Sequence, residues 1–180
     1  IVCILYADIL SPGDGSYLKT VYVLFEWEQE PDAIGYNIQI SDESSFDNIL
    51  LDTYEYHTLY IDKNTLDWDN TFYWRVRPVY IDDTYGNWLG ESMFSIYPSV
   101  LQDFEISTYN ENLLQDGLII FGQFAPDLLV GVIDRFGNEV WNSGSPESDH
   151  QLGTLLNYVS ESGQLFGKKG QQGIKFNYQN

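Results

Sequence analysis

Hydrophobic and polar residues alternate along much of the first half of the chain, and this period of two predicts β-strands. Every second residue is apolar in VYVLFEW at 21–27, in YNIQI at 36–40 and in FYWRVRPVY at 72–80. The last segment places Arg75 and Arg77 on the face opposite its apolar residues. No stretch keeps the helical period beyond about two turns. The chain is therefore predicted to be all-β.

The second half has longer apolar runs and one strong hairpin signal. GLIIFGQF at 117–124 and LLVGVID at 128–134 alternate little, which is typical of strands covered on both faces. Asp134 is placed to bond the turn backbone, and Gly137 to take the left-handed conformation that closes a short hairpin. Trp141, on the returning strand, would supply a large side chain for packing between neighbouring sheets.

The composition is typical of a folded chain, and the net charge excludes some classes of partner. Of the 180 residues, 43% are hydrophobic and 16% are aromatic, which is enough to build a core and favours strands. The 27 acidic residues against 8 basic ones give a net charge of −19, which would repel nucleic acid and an anionic membrane surface. The apolar start at 1–7 is too short to span a membrane. We expect no nucleic acid among its partners and no membrane span.

Residues for a metal or redox site are sparse. Cys3 is the only cysteine, which excludes an intrachain disulfide and a cysteine-based metal cluster. DWDN at 67–70 and IDD at 81–83 supply carboxylates, but neither matches the spacing of a calcium-binding loop. The glycine-rich GQLFGKKGQQG at 163–173 lacks the spacing of a phosphate-binding loop. We expect no cofactor and no metal.

Three segments of the first half resemble a fibronectin type III-like domain of bacterial secreted proteins. They are VLFEWE at 23–28, YNIQISDESSF at 36–46 and LDWDNTFYWRVRPV at 66–79. The strand pattern predicts seven short strands in about 90 residues, and the resemblance implies that they form a fibronectin type III-like β-sandwich.

Three segments of the second half resemble the opening of a bacterial arylsulfotransferase (aryl-sulfate sulfotransferase) β-propeller. They are DGLIIFG at 116–122, VGVIDRFGNEVWNSG at 130–144 and NYVSESGQLFGKKGQQGIKFNYQN at 157–180. The resemblance implies that the full-length protein transfers a sulfuryl group from a phenolic sulfate donor to a phenol acceptor, through a histidine nucleophile. The family's catalytic histidines and arginine would lie in later blades, so we expect this chain to be a non-catalytic fragment.

These features divide the chain into two main parts. We expect a sandwich over 8–97, a linker over 98–107 and an incomplete β-propeller, its first blade region, over 108–180. Residues 1–7 resemble the end of a secretory signal peptide, because the small Ala7 precedes a polar stretch; the alternative is a buried first strand. The prediction is a secreted or periplasmic protein.

The sequence contains no catalytic constellation. His57 has no second histidine or cysteine near it, and His150 has no basic residue close in sequence, so both are interpreted as ordinary surface or loop histidines. Trp68, Tyr85 and Trp88 lie in predicted loops and are candidates for stacking against a ligand ring. Aromatic residues near strand ends also cap a core or pack on a neighbouring domain, and that interpretation stays open.

Two alternatives to the sulfotransferase hypothesis remain. The first is a non-catalytic extracellular adhesion or carbohydrate-binding module with a polysaccharide partner, since such sandwiches commonly accompany polysaccharide-degrading enzymes. The second is a quinoprotein-like propeller, in which the D-x-x-G-x-x-V-W pattern also occurs. Arg75 and Arg77 are predicted to pair with the abundant carboxylates rather than to bind an anion.

Overall fold

The computed structural model of the chain describes residues 7–101, 110, 113, 115–124, 128–144 and 153–176. The regular elements in these ranges are fourteen β-strands, so the prediction of an all-β fold is confirmed. The chain divides into two compact units, Ile1–Tyr97 and Pro98–Asn180. In the described part of the chain, no helix is long and apolar enough to cross a membrane.

The first unit contains two sheets with eight strands in all, one more than the seven predicted. Its strands are β1 (Ile9–Ser11), β2 (Ser16–Leu18), β3 (Val23–Trp27), β4 (Gly35–Ser41), β5 (Ile49–Glu55), β6 (Leu59–Asp62), β7 (Thr71–Val79) and β8 (Gly90–Ile96). One sheet has the order β1-β3-β6 and the other β2-β8-β7-β4-β5. All pairs are antiparallel except β2 with β8, which is parallel. The long β7 lies at the centre of the five-stranded sheet.

Both sheets contribute side chains to one core, as in a β-sandwich. The ring of Phe25 on β3 lies 4.9 Å from that of Trp74 on β7, and Trp27 lies 6.4 Å from the same ring. Burial alternates along β3 and β7 as the period-two pattern predicts. Each large apolar side chain removed from water contributes about 1.5–3 kcal/mol. The core therefore explains why these alternating segments form strands.

The start of the first unit is attached to both layers. Ala7 is buried, and β1 begins two residues later. Trp74 Nε1 donates to the Pro12 carbonyl at 3.2 Å, and Ser92 Oγ donates to the same oxygen at 3.1 Å. Residues 1–6, which hold Cys3 and most of the predicted signal-peptide remnant, lie outside the described residues.

The second unit contains two antiparallel sheets of three strands. Its strands are β9 (Ile119–Gln123), β10 (Leu129–Ile133), β11 (Glu139–Asn142), β12 (Thr154–Val159), β13 (Leu165–Lys169) and β14 (Gln172–Phe176), with sheet orders β11-β10-β9 and β12-β13-β14. Every residue of β10 is buried, as predicted. The same prediction is wrong for β9, where Ile119 is 48% exposed and no residue is fully buried.

The two sheets of the second unit use the same turn. Between β10 and β11, Gly137 donates its N–H to the Asp134 carbonyl at 3.1 Å and has a φ of 87°. Between β12 and β13, Gly163 donates to the Ser160 carbonyl at 2.9 Å and has a φ of 75°. In both turns the first residue's side-chain oxygen accepts from the N–H four residues later, at 2.9 Å. The predicted roles of Asp134 and Gly137 are confirmed.

The first residues of the predicted linker are attached to the second unit. The Glu139 carboxylate accepts from the backbone N–H groups of Val100 and Leu101, at 3.4 and 3.2 Å, and from the Ser99 hydroxyl. Leu101 is buried in a small core with Leu129 and others. Residues 102–107 lie outside the described residues.

Candidate functional site

The most organised group of polar and aromatic side chains covers the outer face of the five-stranded sheet. Strand β7 points Trp74 and Val76 into the core, and the alternation of a strand then turns Arg75 and Arg77 outward. Both arginines lie at the centre of the sheet, so side chains from β4 on one side and from β8 and its preceding loop on the other reach them.

Each guanidinium contacts two aromatic rings, and one ring is shared. The Cζ of Arg75 lies 3.9 Å from the ring centre of Phe46 and 4.2 Å from that of Trp88. The Cζ of Arg77 lies 4.4 Å from Trp88 and 4.0 Å from Tyr85. We call these five residues the arginine–aromatic cluster. Each cation–π contact contributes about 0.5–2 kcal/mol, more as the pair loses water.

Two buried side-chain amides fix the orientation of the two guanidinium groups. Arg75 donates from Nε and Nη2 to Gln39 Oε1, at 3.0 and 2.8 Å, and Arg77 donates from Nε to Asn37 Oδ1 at 3.0 Å. Asn37 and Gln39, each only 6% exposed, in turn donate from their NH₂ groups to the Asp52 carboxylate, at 2.6 and 2.8 Å. One carboxylate thus orients both amides, and the amides fix both cations.

The two arginines differ at one edge. Arg75 Nη1 lies 3.4 Å from the Glu91 carboxylate, in an ion pair with exposed Glu91. Strand β8 starts at Gly90, which pairs with Val76, so β8 has no side chain opposite Arg77. No carboxylate of the described residues pairs with Arg77, and Nε is its hydrogen-bonding atom to the protein. The prediction that both arginines pair with carboxylates is right for Arg75 and wrong for Arg77.

The loop before β8 carries Tyr85 and Trp88 and is stabilised by hydrogen bonds within the loop. Asp82 Oδ1 accepts from the Thr84 hydroxyl at 2.6 Å and from its N–H at 3.2 Å. These hydrogen bonds lower the pKa of the exposed Asp82 carboxyl below its ordinary value. The loop closes where Tyr80 N–H donates to the Thr84 carbonyl at 2.9 Å. Tyr85 then stands 57% exposed beside Arg77.

The three predicted stacking residues do not form one group. Tyr85 and Trp88 belong to the arginine–aromatic cluster. Trp68 is half-buried and packs against the core of the first unit. Sequence reasoning missed Phe46 and the role of the amides Asn37 and Gln39. The only signal for the amides was their place between the inward-facing residues of YNIQI, where polar side chains must face outward.

No group typical of catalysis comes together in the described ranges. Within them, no three histidine, cysteine, aspartate or glutamate side chains are arranged to hold a metal ion. His57 is exposed in the connection between β5 and β6. His150 lies outside the described residues. The arginine–aromatic cluster offers planar cationic donors and aromatic faces.

Comparison with known proteins adds no relative. A scan against protein-family models finds no match, and a search of curated proteins also finds none.

Proposed function

We propose that this chain is the non-catalytic leading part of a secreted or periplasmic, arylsulfotransferase-like bacterial protein. Its full-length form would transfer a sulfuryl group from a phenolic sulfate donor to a phenol acceptor. The observation that carries the proposal is the repeated hairpin of the second unit, in which Asp134 and Ser160 begin turns of the same design.

The strand order of the first unit supports a fibronectin type III-like sandwich. In immunoglobulin-like sandwiches the C, F and G strands are neighbours in one sheet, and A, B and E lie in the other. Strands β4, β7 and β8 are adjacent here, and β1, β3 and β6 form the second sheet. In this correspondence β5, beside β4, takes the place of a C′ strand.

The burial pattern of the second unit supports propeller-type packing. A propeller buries both faces of its inner strands between stacked sheets. Trp141 on β11 is buried, and its ring stacks on that of Phe176 on β14, with the centres 6.2 Å apart. The two three-stranded sheets are thus joined by aromatic packing, as adjacent repeats of such a fold would be.

The chemistry of the described residues supports a non-catalytic role. Sulfuryl transfer through a histidine requires a nucleophile placed beside cationic groups that stabilise the transferring oxygens. His57 lies in a turn and is exposed, whereas Arg75 and Arg77 are held by amides and aromatic rings. We therefore assign no catalytic residue within the described part of the chain.

The test is turnover of 4-nitrophenyl sulfate with phenol as acceptor. We expect no nitrophenol from this chain, and release from the protein encoded by the source gene if its reading frame continues beyond Asn180. Boiled full-length protein is the matched control. Turnover by the 180-residue chain alone, or a stop codon directly after Asn180, would overturn the proposal.

The second candidate function is a carbohydrate-binding or adhesion module, and the exposure of Tyr85 favours it. An exposed aromatic ring stacks on the apolar face of a sugar. Affinity electrophoresis in gels that contain neutral polysaccharides tests this function. Retardation of the native chain that disappears in Tyr85→Ala would support it, and equal migration in all gels would contradict it.

A further inference from the structure

We propose that Arg77 is a binding site for the carboxylate of a small monoanionic ligand, independent of any sulfotransferase activity of the full-length protein. Arg75 and Arg77 are held alike except at one edge of the guanidinium. Both contact the Trp88 ring and both donate to a buried amide. Only Arg75 has a carboxylate, that of Glu91, at its remaining edge.

The vacant edge has the geometry that a carboxylate needs. The Nε of Arg77 is used by Asn37, which leaves the two terminal nitrogens, Nη1 and Nη2, side by side in the guanidinium plane. A carboxylate accepts from such a pair of N–H groups with two parallel hydrogen bonds. Neither Nη1 nor Nη2 belongs to the buried, unpartnered side-chain nitrogens of the described residues, so both keep some contact with solvent although Arg77 is half-buried. The chain's own carboxylates, although numerous, leave it unfilled among the described residues.

The site is preorganised. The Asp52 carboxylate orients Asn37, Asn37 orients Arg77, and the rings of Tyr85 and Trp88 contact the guanidinium. A ligand would therefore lose little affinity to the ordering of the arginine side chain. The Tyr85 ring lies against the face of the Arg77 guanidinium, 4.0 Å from its Cζ, and the exposed part of this ring can contact a ring on the ligand.

The net charge of the chain favours a small ligand with a single negative charge. At −19, the chain repels a long polyanion, whereas a single carboxylate meets mainly the local field of Arg77. The expected ligand is a small ring compound with one carboxylate, and a solvent-open site of this kind binds with a Kd on the order of 1–10 mM.

The experiment is an NMR titration of the ¹⁵N-labelled full chain with sodium benzoate, followed at the side-chain Nε–H signals of Arg75 and Arg77. Benzamide, the neutral compound of the same shape, is the matched probe. We expect a saturable shift of the Arg77 signal with benzoate, little response to benzamide, and little response of Arg75, whose edge Glu91 already occupies.

The variant Arg77→Lys keeps the charge and removes the planar pair of donors. We expect benzoate affinity, read from backbone amide shifts around Tyr85, to fall about tenfold. Three results would each overturn the proposal. The first is the absence of a saturable Arg77 shift up to about 20 mM benzoate. The others are an equal response to benzamide and undiminished benzoate binding by Arg77→Lys. If the variant fails to fold, the benzoate–benzamide comparison on the native chain still decides.

Discussion

The indole ring of Trp88 lies 4.4 Å from the guanidinium carbon of Arg77, and the same ring contacts a second arginine. Trp88 belongs to the loop before β8, so these contacts attach that loop to β7 at the centre of the five-stranded sheet. The stability of the outer face of the first unit should accordingly depend on this one side chain.

Trp88→Leu is expected to destabilise the first unit by about 2 kcal/mol, because two cation–π contacts are lost together while an apolar side chain remains. Hydrogen exchange of the β7 amides in the full chain measures the effect. Tyr56→Leu is the control, since Tyr56 is 74% exposed and its ring packs on Tyr54 rather than on a cation. Equal effects of the two substitutions would show that the cluster adds little stability.

The two equivalent turns of the second unit predict a matched pair of glycine effects. Gly137 and Gly163 have φ values of 87° and 75°, which cost a residue with a Cβ about 1–2 kcal/mol. Gly137→Ala and Gly163→Ala should therefore each speed exchange in their own hairpin. Gly173→Ala is the control, because that glycine has open space around its Cβ position and no positive φ. A Gly173→Ala effect as large as the others would contradict this explanation.

The two core tryptophans predict unequal costs for the same substitution. Trp74 Nε1 donates to a carbonyl, whereas the buried Trp27 Nε1 has no partner in the described residues. A buried donor without an acceptor costs about 1–3 kcal/mol, and phenylalanine removes that donor. Trp27→Phe should thus be less destabilising than Trp74→Phe by about 1 kcal/mol in urea unfolding, although both leave a similar cavity. If Trp27→Phe were the more destabilising substitution, Trp27 Nε1 would not be a costly unpaired donor.

Alkaline pH is expected to weaken the first unit through Tyr36. Burial raises the pKa of Tyr36 above its ordinary value of 10.0, and the hydrogen bond from the Glu30 N–H opposes this rise. The folded state therefore holds the proton more tightly than the unfolded state. The stabilising contribution is fully present below pH 10 and is lost as the pH rises through the folded-state pKa.

Urea unfolding between about pH 8 and pH 11 measures this loss. Tyr36→Phe should unfold more easily at pH 8, because the hydrogen bond to Glu30 is gone, and should show a shallower fall toward pH 11. Burial also raises the pKa of Tyr54 and of Tyr60, and both contribute to any slope that remains. An unchanged slope in Tyr36→Phe would exclude Tyr36 as the cause.

Much of the fold could be predicted from local pattern alone. The alternation in VYVLFEW and FYWRVRPVY assigns residues to two faces because successive side chains of a strand point to opposite sides. Asp134 and Gly137 could be assigned to a turn because their chemistry acts on their own backbone. Such features depend only on residues near in sequence.

The candidate site depended on residues distant in sequence. Phe46 and Trp88 reach the arginines, and Asp52 reaches the amides that hold them, only because β5, β4, β7 and β8 are neighbours in one sheet. Local pattern was enough to predict an all-β chain, its turns and the outward direction of both arginines. The pairing of Glu91 with Arg75, and the lack of a carboxylate partner for Arg77 among the described residues, could not be predicted in this way, because strand register sets which side chains stand opposite each other.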